Sequence, residues 1–274
     1  MNHLELAVLG GGNMGRALIG GLLRQGMRPE RVSVGERDPA AREALQREFG
    51  LTALPDNEAA VARASVVVVA VKPQHVGAVL APLAGTFAGT CPLVLSVAAG
   101  VRIAALQSWC GARVTVMRAM PNRPALVGAG VTGLYAPAQC QAEQVDLAEQ
   151  ILRAVGEVVR LDTEEALDVV TALSGSGPAY FFLLAELMAR AGVELGLCAQ
   201  TARTLSAATL HGAGLLAQGG SDLAQLRAEV TSKGGTTEAA LRVFEAADLG
   251  QIVARAVQAA TARSRELAAQ FQPD

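Results

Sequence analysis

Hydrophobic positions in the first 160 or so residues gather in short, nearly continuous runs: Leu4, Leu6, Ala7, Val8 and Leu9; Val32 and Val34; the Val-rich stretch 66–71; Leu93, Val94, Leu95 and Val97; Val114 and Val116. Short Val- and Leu-rich runs alternating with helix-spaced stretches are the pattern of βαβ units, in which parallel strands are buried on both faces. The spacing predicts strands over 4–9, 32–34, 66–71, 93–97 and 114–118, with helices such as 14–25 and 39–49 between them. After about Glu164 the strand signals stop. Ala- and Leu-rich stretches follow, predicting helices over 178–195, 199–217, 223–230, 238–247 and 252–269. The expected architecture is α/β: a doubly wound parallel sheet over residues 1–163, then an all-helical domain over 164–274.

Composition sharpens this picture. A chain of 274 residues has room for two modest domains at ~100–200 residues each. With 51% hydrophobic but only 3% aromatic residues, the core must be close-packed Ala, Val and Leu. Several C-terminal segments are apolar on more than one face, as in Ala179-Tyr180-Phe181-Phe182-Leu183-Leu184-Ala185. Such helices need more than one packing neighbour, which predicts a dimer or larger homo-oligomer through the helical domain, with a monomeric bundle as the alternative. A net charge of −2 without a Lys/Arg block lacks the footprint of a nucleic-acid or anionic-membrane binder, so a small-molecule partner is expected. The apolar run 65–71 is far short of the ~20 residues of a membrane helix, so no span is expected. Cys91, Cys110, Cys140 and Cys198 show no metal-binding spacing, and no secretory leader pattern precedes the first strand. A reduced, cytoplasmic protein without a metal site is the expectation.

Candidate chemistry begins where the first strand ends. Leu9 is followed by Gly10-Gly11-Gly12-Asn13-Met14-Gly15, a G-x-G-x-x-G turn between strand and helix. The first glycine permits the tight turn, the second lets backbone approach a pyrophosphate and the third lets helix pack on strand, while the helix start offers free N–H groups. An ordinary glycine-rich turn is the bland alternative, but the context points to a Rossmann-type dinucleotide-binding domain. About twenty residues on, the ribose-reading position holds Glu36 and Arg37, which argue in opposite directions. An acid favours the free 2′-hydroxyl of NADH, whereas an Arg pairs with the 2′-phosphate of NADPH. We expect NADPH through Arg37, with NADH also used. Ala70-Val71-Lys72-Pro73-Gln74 and Ser96-Val97-Ala98-Ala99-Gly100 stand at carboxyl ends of later strands, where open parallel sheets bind ligands.

In the helical half, Thr231-Ser232-Lys233-Gly234-Gly235-Thr236-Thr237 precedes an apolar-periodic stretch and reads as a glycine loop opening a helix. Backbone N–H groups with the hydroxyls of Ser232, Thr236 and Thr237 can surround a carboxylate at the positive end of the helix dipole. Alternatively, Thr236 or Thr237 simply caps the helix. Ser174-Gly175-Ser176-Gly177-Pro178 invites a nucleophilic-serine reading, but with only His3, His75 and His211 in the chain no base is evident. It reads instead as a helix start passing close to another backbone.

Taken together, Gly12-Asn13-Met14, the 70–74 and 96–100 turns, Arg118-Ala119-Met120-Pro121-Asn122, the 172–180 segment and Val230-Thr231-Ser232-Lys233-Gly234-Gly235-Thr236-Thr237 occur in the order of the pyrroline-5-carboxylate reductases, which the chain resembles over essentially its whole length. The resemblance implies a Rossmann domain holding NAD(P)H and a helical domain forming an intertwined dimer, often assembled into larger rings. It further implies a site that reduces 1-pyrroline-5-carboxylate to L-proline, completing proline biosynthesis. On that resemblance, Ser232 and the Gly235, Thr236, Thr237 turn would hold the substrate carboxylate, Thr237 would also face the ring nitrogen, and Asn57 would touch the adenosine side of the cofactor. Gly10, Gly12, Asn13, Met14, Gly15, Arg37, Ala70, Val71, Lys72, Pro73, Ala98, Ala99 and Gly100 complete the expected cofactor site. Lys233 stands where the family most often has proline, and Arg123 replaces a common small residue; both bear on substrate affinity more than on reaction type. A β-hydroxyacid-type dehydrogenase would need a general base, yet Lys233 is the only lysine after Lys72 and is followed by glycine. A nucleotide-sensing protein without turnover is the remaining alternative.

Overall fold

The structure, a computed structural model, describes residues 4–271. Eight strands form one sheet: β1 Leu6–Leu9, β2 Val32–Gly35, β3 Thr52–Leu54, β4 Val66–Val69, β5 Leu93–Ser96, β6 Thr115–Met120, β7 Gly130–Tyr135 and β8 Gly156–Leu161. Their spatial order is β3-β2-β1-β4-β5-β6-β7-β8. The first six are parallel, in the doubly wound arrangement expected. Alternating side chains serve two cores: Leu6, Val8, Val66, Val68, Leu93 and Leu95 face one layer of helices, and Ala7, Leu9, Val67, Val69 and Val94 face the other. That is why these strands read as unbroken apolar runs rather than as alternating ones.

The strands expected over the sequence lacked β3, β7 and β8. Strand β3 is only three residues and begins with exposed Thr52. Strand β7 carries Gly130 and Gly133, each matched to a close neighbour: a Cβ on Gly133 would lie 2.9 Å from Val170, and one on Gly130 would lie 2.9 Å from the Val155 carbonyl. Glycine weakens the strand signal at the places where packing requires it. Strand β7 also runs antiparallel to β6, because the short 3-10 turn Arg123–Val127 joins them and no helix intervenes to carry a parallel crossover.

Packing divides the described chain into one unit up to Gly175, rejoined by residues from Ala260 on, and a second unit, Ser176–Ala259. This break lies later than the expected one after residue 163. Segment 164–175 stays with the sheet unit because Leu167, Asp168 and Ala172 are buried in it, and Thr261, Ser264 and Ala268 present one buried face of the last helix, Leu249–Ala269. The second unit is wholly helical: Gly177–Glu194, Ala199–Gln218, Leu223–Glu229, Thr236–Ala246 and the first half of Leu249–Ala269, within a few residues of the expected spans. By length and composition alone, one stretch among the described residues, Ala166–Glu194, is long and apolar enough to cross a membrane. A π-helical turn at Thr171–Gly175 and Pro178 break it into pieces.

Candidate active site

The glycine turn sorts its residues by what each must accommodate. Gly10 has φ +105°, and a Cβ there would come within 2.9 Å of the Ala70 carbonyl oxygen; a Cβ on Gly15 would overlap the Gly10 carbonyl. Both glycines are required by the fold itself. Gly12 is different: its φ of −72° suits any residue, and a Cβ would meet nothing within 4 Å. The space beside Gly12 is therefore open to a ligand. Helix α1, Asn13–Arg24, takes Gly12 as its N-cap with no side-chain cap bond and no acidic residue in its first turn. Its first N–H groups and dipole face that open side, which fits the pyrophosphate of a dinucleotide.

At the end of β2, a pocket of about 220 Å³ is lined by Gly10, Glu36, Arg37, Asn57, Val71 and His75 among others. Asn57 opens the short helix Asn57–Val61, whose start is fixed by Asp56 accepting from the Glu58 N–H at 3.0 Å. A side chain at Gly35 would overlap the Asn57 amide oxygen, so Gly35 makes room for the Asn57 side chain. Glu36 is drawn inward: its carboxylate accepts from the Gly11 N–H at 2.9 Å and the Asp38 N–H at 3.0 Å. Arg42 braces the turn by donating to the carbonyls of Glu36 and Arg37 at 3.0 and 2.7 Å. Arg37 itself is exposed and has no ion pair among the described residues, leaving its guanidinium available to the pocket. Sequence reasoning missed His75, whose place just after Lys72 at a strand's carboxyl end was the available signal.

Strands β1, β4 and β5 are neighbours, so their carboxyl-end turns lie side by side. Ala70, Val71, Lys72 and Pro73 follow β4, with Pro73 opening the 3-10 turn Pro73–His75. After β5, buried Ser96 accepts from the Ala98 N–H at 3.4 Å, and Gly100 turns the chain with φ +76°. Asn122 stitches β6 to its surroundings, donating to the Ser174 carbonyl at 3.2 Å and accepting from the Val131 N–H at 2.9 Å. The Ser174 hydroxyl donates to the Val170 carbonyl within its own helical turn, which gives it no part in a nucleophilic dyad.

In the helical unit, Gly234 has φ +72° and Gly235 is the N-cap of helix Thr236–Ala246, again without a side-chain cap. The hydroxyls of Thr236 and Thr237 do not cap this helix. Gly235 donates to the Ser232 carbonyl at 3.0 Å, and Glu238 takes the Gly234 N–H at 2.7 Å, so Ser232, Gly235, Thr236 and Thr237 form one tight turn at the helix start. The Thr236 and Thr237 N–H groups remain at the positive end of the dipole, the arrangement an anion needs. Lys233 is exposed beside it. The cofactor candidates thus gather in the sheet unit, and the substrate candidates in the helical unit.

Two family models match the chain: one described as pyrroline-5-carboxylate reductase dimerisation over residues 164–267, and one described as NADP oxidoreductase coenzyme F420-dependent over residues 5–100. The chain is 44% identical to a pyrroline-5-carboxylate reductase of Pseudomonas aeruginosa, with 99% of each covered. Among solved structures it is similar to a pyrroline-5-carboxylate reductase from Coxiella burnetii, with TM-score 0.93, 39% identity and 97% and 99% of the two chains covered. It is also similar to a Plasmodium falciparum pyrroline carboxylate reductase with NADP bound, with TM-score 0.83, 27% identity and 98% and 99% covered.

Proposed function

The chain belongs to the pyrroline-5-carboxylate reductase family, and from that premise we propose how its own residues reduce 1-pyrroline-5-carboxylate to L-proline with NAD(P)H. The observation that carries the reading is a design shared by two helix starts. Asn13–Arg24 and Thr236–Ala246 each open on a glycine N-cap, Gly12 and Gly235, with no side-chain cap. Each start offers unpaired N–H groups to an anion. The first receives the cofactor pyrophosphate and the second the substrate carboxylate.

Gly12, Asn13 and Met14 would cradle the pyrophosphate on a turn shaped by Gly10 and Gly15, while Ala70, Val71, Lys72, Pro73, Ala98, Ala99 and Gly100 would wall the cleft beyond the strand ends. Arg37 and Asn57, which line one pocket, would flank the adenosine ribose; Arg37 would favour NADPH, and Glu36 would admit NADH. When bound, NAD(P)H supplies the hydride to the imine carbon. Ser232, Gly235 and Thr236 hold the carboxylate, which fixes the ring so that reaction is effectively unimolecular. The Thr237 hydroxyl would accept from the protonated ring nitrogen, keeping the proton there and the adjacent carbon electrophilic. No strong acid is required of the protein.

The helical unit joins two copies, or a larger ring of them, through its exposed apolar side chains, which include Phe181, Phe182, Leu183 and Met188 at 60%, 59%, 54% and 50% exposure. Surface of this kind in one contiguous unit marks an interface. Four free cysteines suit a cytoplasmic enzyme. Spectrophotometric oxidation of NADPH and NADH with 1-pyrroline-5-carboxylate tests the assignment. Turnover with this imine is expected, and its absence alongside turnover of a hydroxy acid would overturn it.

A further inference from the structure

A cluster of four charged side chains, Asp168 and Arg118 buried and Arg102 and Glu164 partly exposed, lies beneath the turn that follows β5 and takes no part in the hydride transfer. Asp168, 1% exposed, accepts from the Arg102 guanidinium at 2.5 Å and from the Ser264 hydroxyl at 2.8 Å. Beside it, Glu164 accepts from the Arg118 guanidinium and from the Ile103 N–H, both at 2.7 Å, and its carbonyl accepts from Arg102 at 3.4 Å. Arg118 is 4% exposed, and its Nε has no partner among the described residues. Burial lowers the Arg118 pKa, while the Glu164 carboxylate opposes that shift.

Asp168 and Arg118 are buried while their partners Arg102 and Glu164 are partly exposed, and replacing buried charged groups of this kind with apolar residues is often neutral or stabilising. Stability alone is therefore a weak account of the cluster. What it joins is more telling. Arg102 and Ile103 come immediately after Ala98, Ala99, Gly100 and Val101; Ser264 is on the last helix, whose Ala268 backbone packs on Gly100. Asp168 thus grips both the chain leaving this turn and the helix lying against it. On the near side the Val97 N–H donates to the Val69 carbonyl at 3.0 Å, and within the turn itself the Ala98 N–H reaches the Ser96 hydroxyl at 3.4 Å.

We infer that Asp168 is a positioning residue for the NAD(P)H-binding turn 98–100, acting through Arg102 and Ser264. The inference rests on the assignment of that turn to the cofactor cleft. Without the Asp168 carboxylate, Arg102 keeps only the Glu164 carbonyl and Ser264 loses its acceptor, so the turn moves relative to the glycine loop. Misplacement on the order of 1 Å by a remote change weakens alignment markedly. Electrostatics predicts the opposite sign, since Asp168→Asn leaves an extra positive charge near an anionic ligand and by itself would tighten binding.

The test measures the NADPH dissociation constant by nicotinamide fluorescence, amide exchange over residues 98–103, and steady-state kinetics, on wild type, Asp168→Asn and Ser264→Ala. Wild-type protein that neither binds NADPH nor reduces the imine would refute the family-based reading, separately from this inference. With wild type active, Asp168→Asn is expected to raise the NADPH dissociation constant about 10-fold, with faster exchange at 98–103 and the imine KM nearly unchanged. Ser264→Ala keeps both ion pairs and is expected to shift the same constant about 3-fold, less than Asp168→Asn because the Arg102 contact survives. Unchanged or tighter NADPH binding in Asp168→Asn, whatever its thermal midpoint, overturns the inference. If that variant does not fold, wild-type affinity in Ser264→Ala does so instead.

Discussion

Gly12→Ala separates the glycine that serves a ligand from those that serve the fold. The new methyl would meet nothing within 4 Å, and φ of −72° is ordinary for alanine. Alanine is a poorer N-cap than glycine, at a cost of about 0.5–1 kcal/mol. It also restricts the unfolded chain, which returns about 0.4–1 kcal/mol. The two offset, so the thermal midpoint should barely move. A pyrophosphate against the Gly12 backbone, however, is pushed away by the methyl and loses one or two charge-assisted bonds of about 1.5–3 kcal/mol each. NADPH affinity should therefore fall about 10- to 100-fold or more, read by fluorescence titration beside a melting curve. Gly15→Ala is the contrasting control: its Cβ would overlap the Gly10 carbonyl, so it should lose stability by about 1–3 kcal/mol. Wild-type NADPH affinity in a fully folded Gly12→Ala variant would refute the placement of the pyrophosphate.

Thr237→Val keeps the branched shape and, because Thr237 does not cap its helix, should leave stability nearly unchanged while kcat/KM for the imine falls on the order of 10- to 100-fold, the loss of about 1.5–3 kcal/mol; destabilisation with normal turnover would remove the hydroxyl from the reaction. Arg37→Ala should weaken NADPH by about 1.5–3 kcal/mol and spare NADH, and equal losses for both would exclude a 2′-phosphate contact. By light scattering at micromolar concentration the protein should be at least a dimer, and Phe182→Glu, at a position 59% exposed in the single chain, should raise the dissociation constant at least ~10-fold; a wild-type monomer would sink this.

What the sequence disclosed tracks how local each feature is. The glycine turn was legible because strand, glycines and helix are adjacent in the chain, and Gly10 and Gly15 owe their identities to contacts within that span and with Ala70. The helical half was legible from its spacing alone. Strands β7 and β8 were not, because their pairing depends on Gly130 and Gly156 bringing two backbones together, a relation between residues that no single run displays. The same holds at the site. Arg37 could be named from its offset, but that Glu36 turns back onto Gly11 follows only from the fold, and it bears on cofactor choice: a carboxylate already holding the Gly11 and Asp38 N–H groups has a fixed place in the pocket that Arg37 also lines. An acid so held favours a diol over a phosphate, while exposed Arg37 favours the phosphate, and both line one pocket. Selectivity between NADPH and NADH is therefore a difference between two opposing terms. Glu36→Gln should shift it toward NADPH by removing the repulsive one, an outcome that the residue pair alone, read without the fold, did not determine.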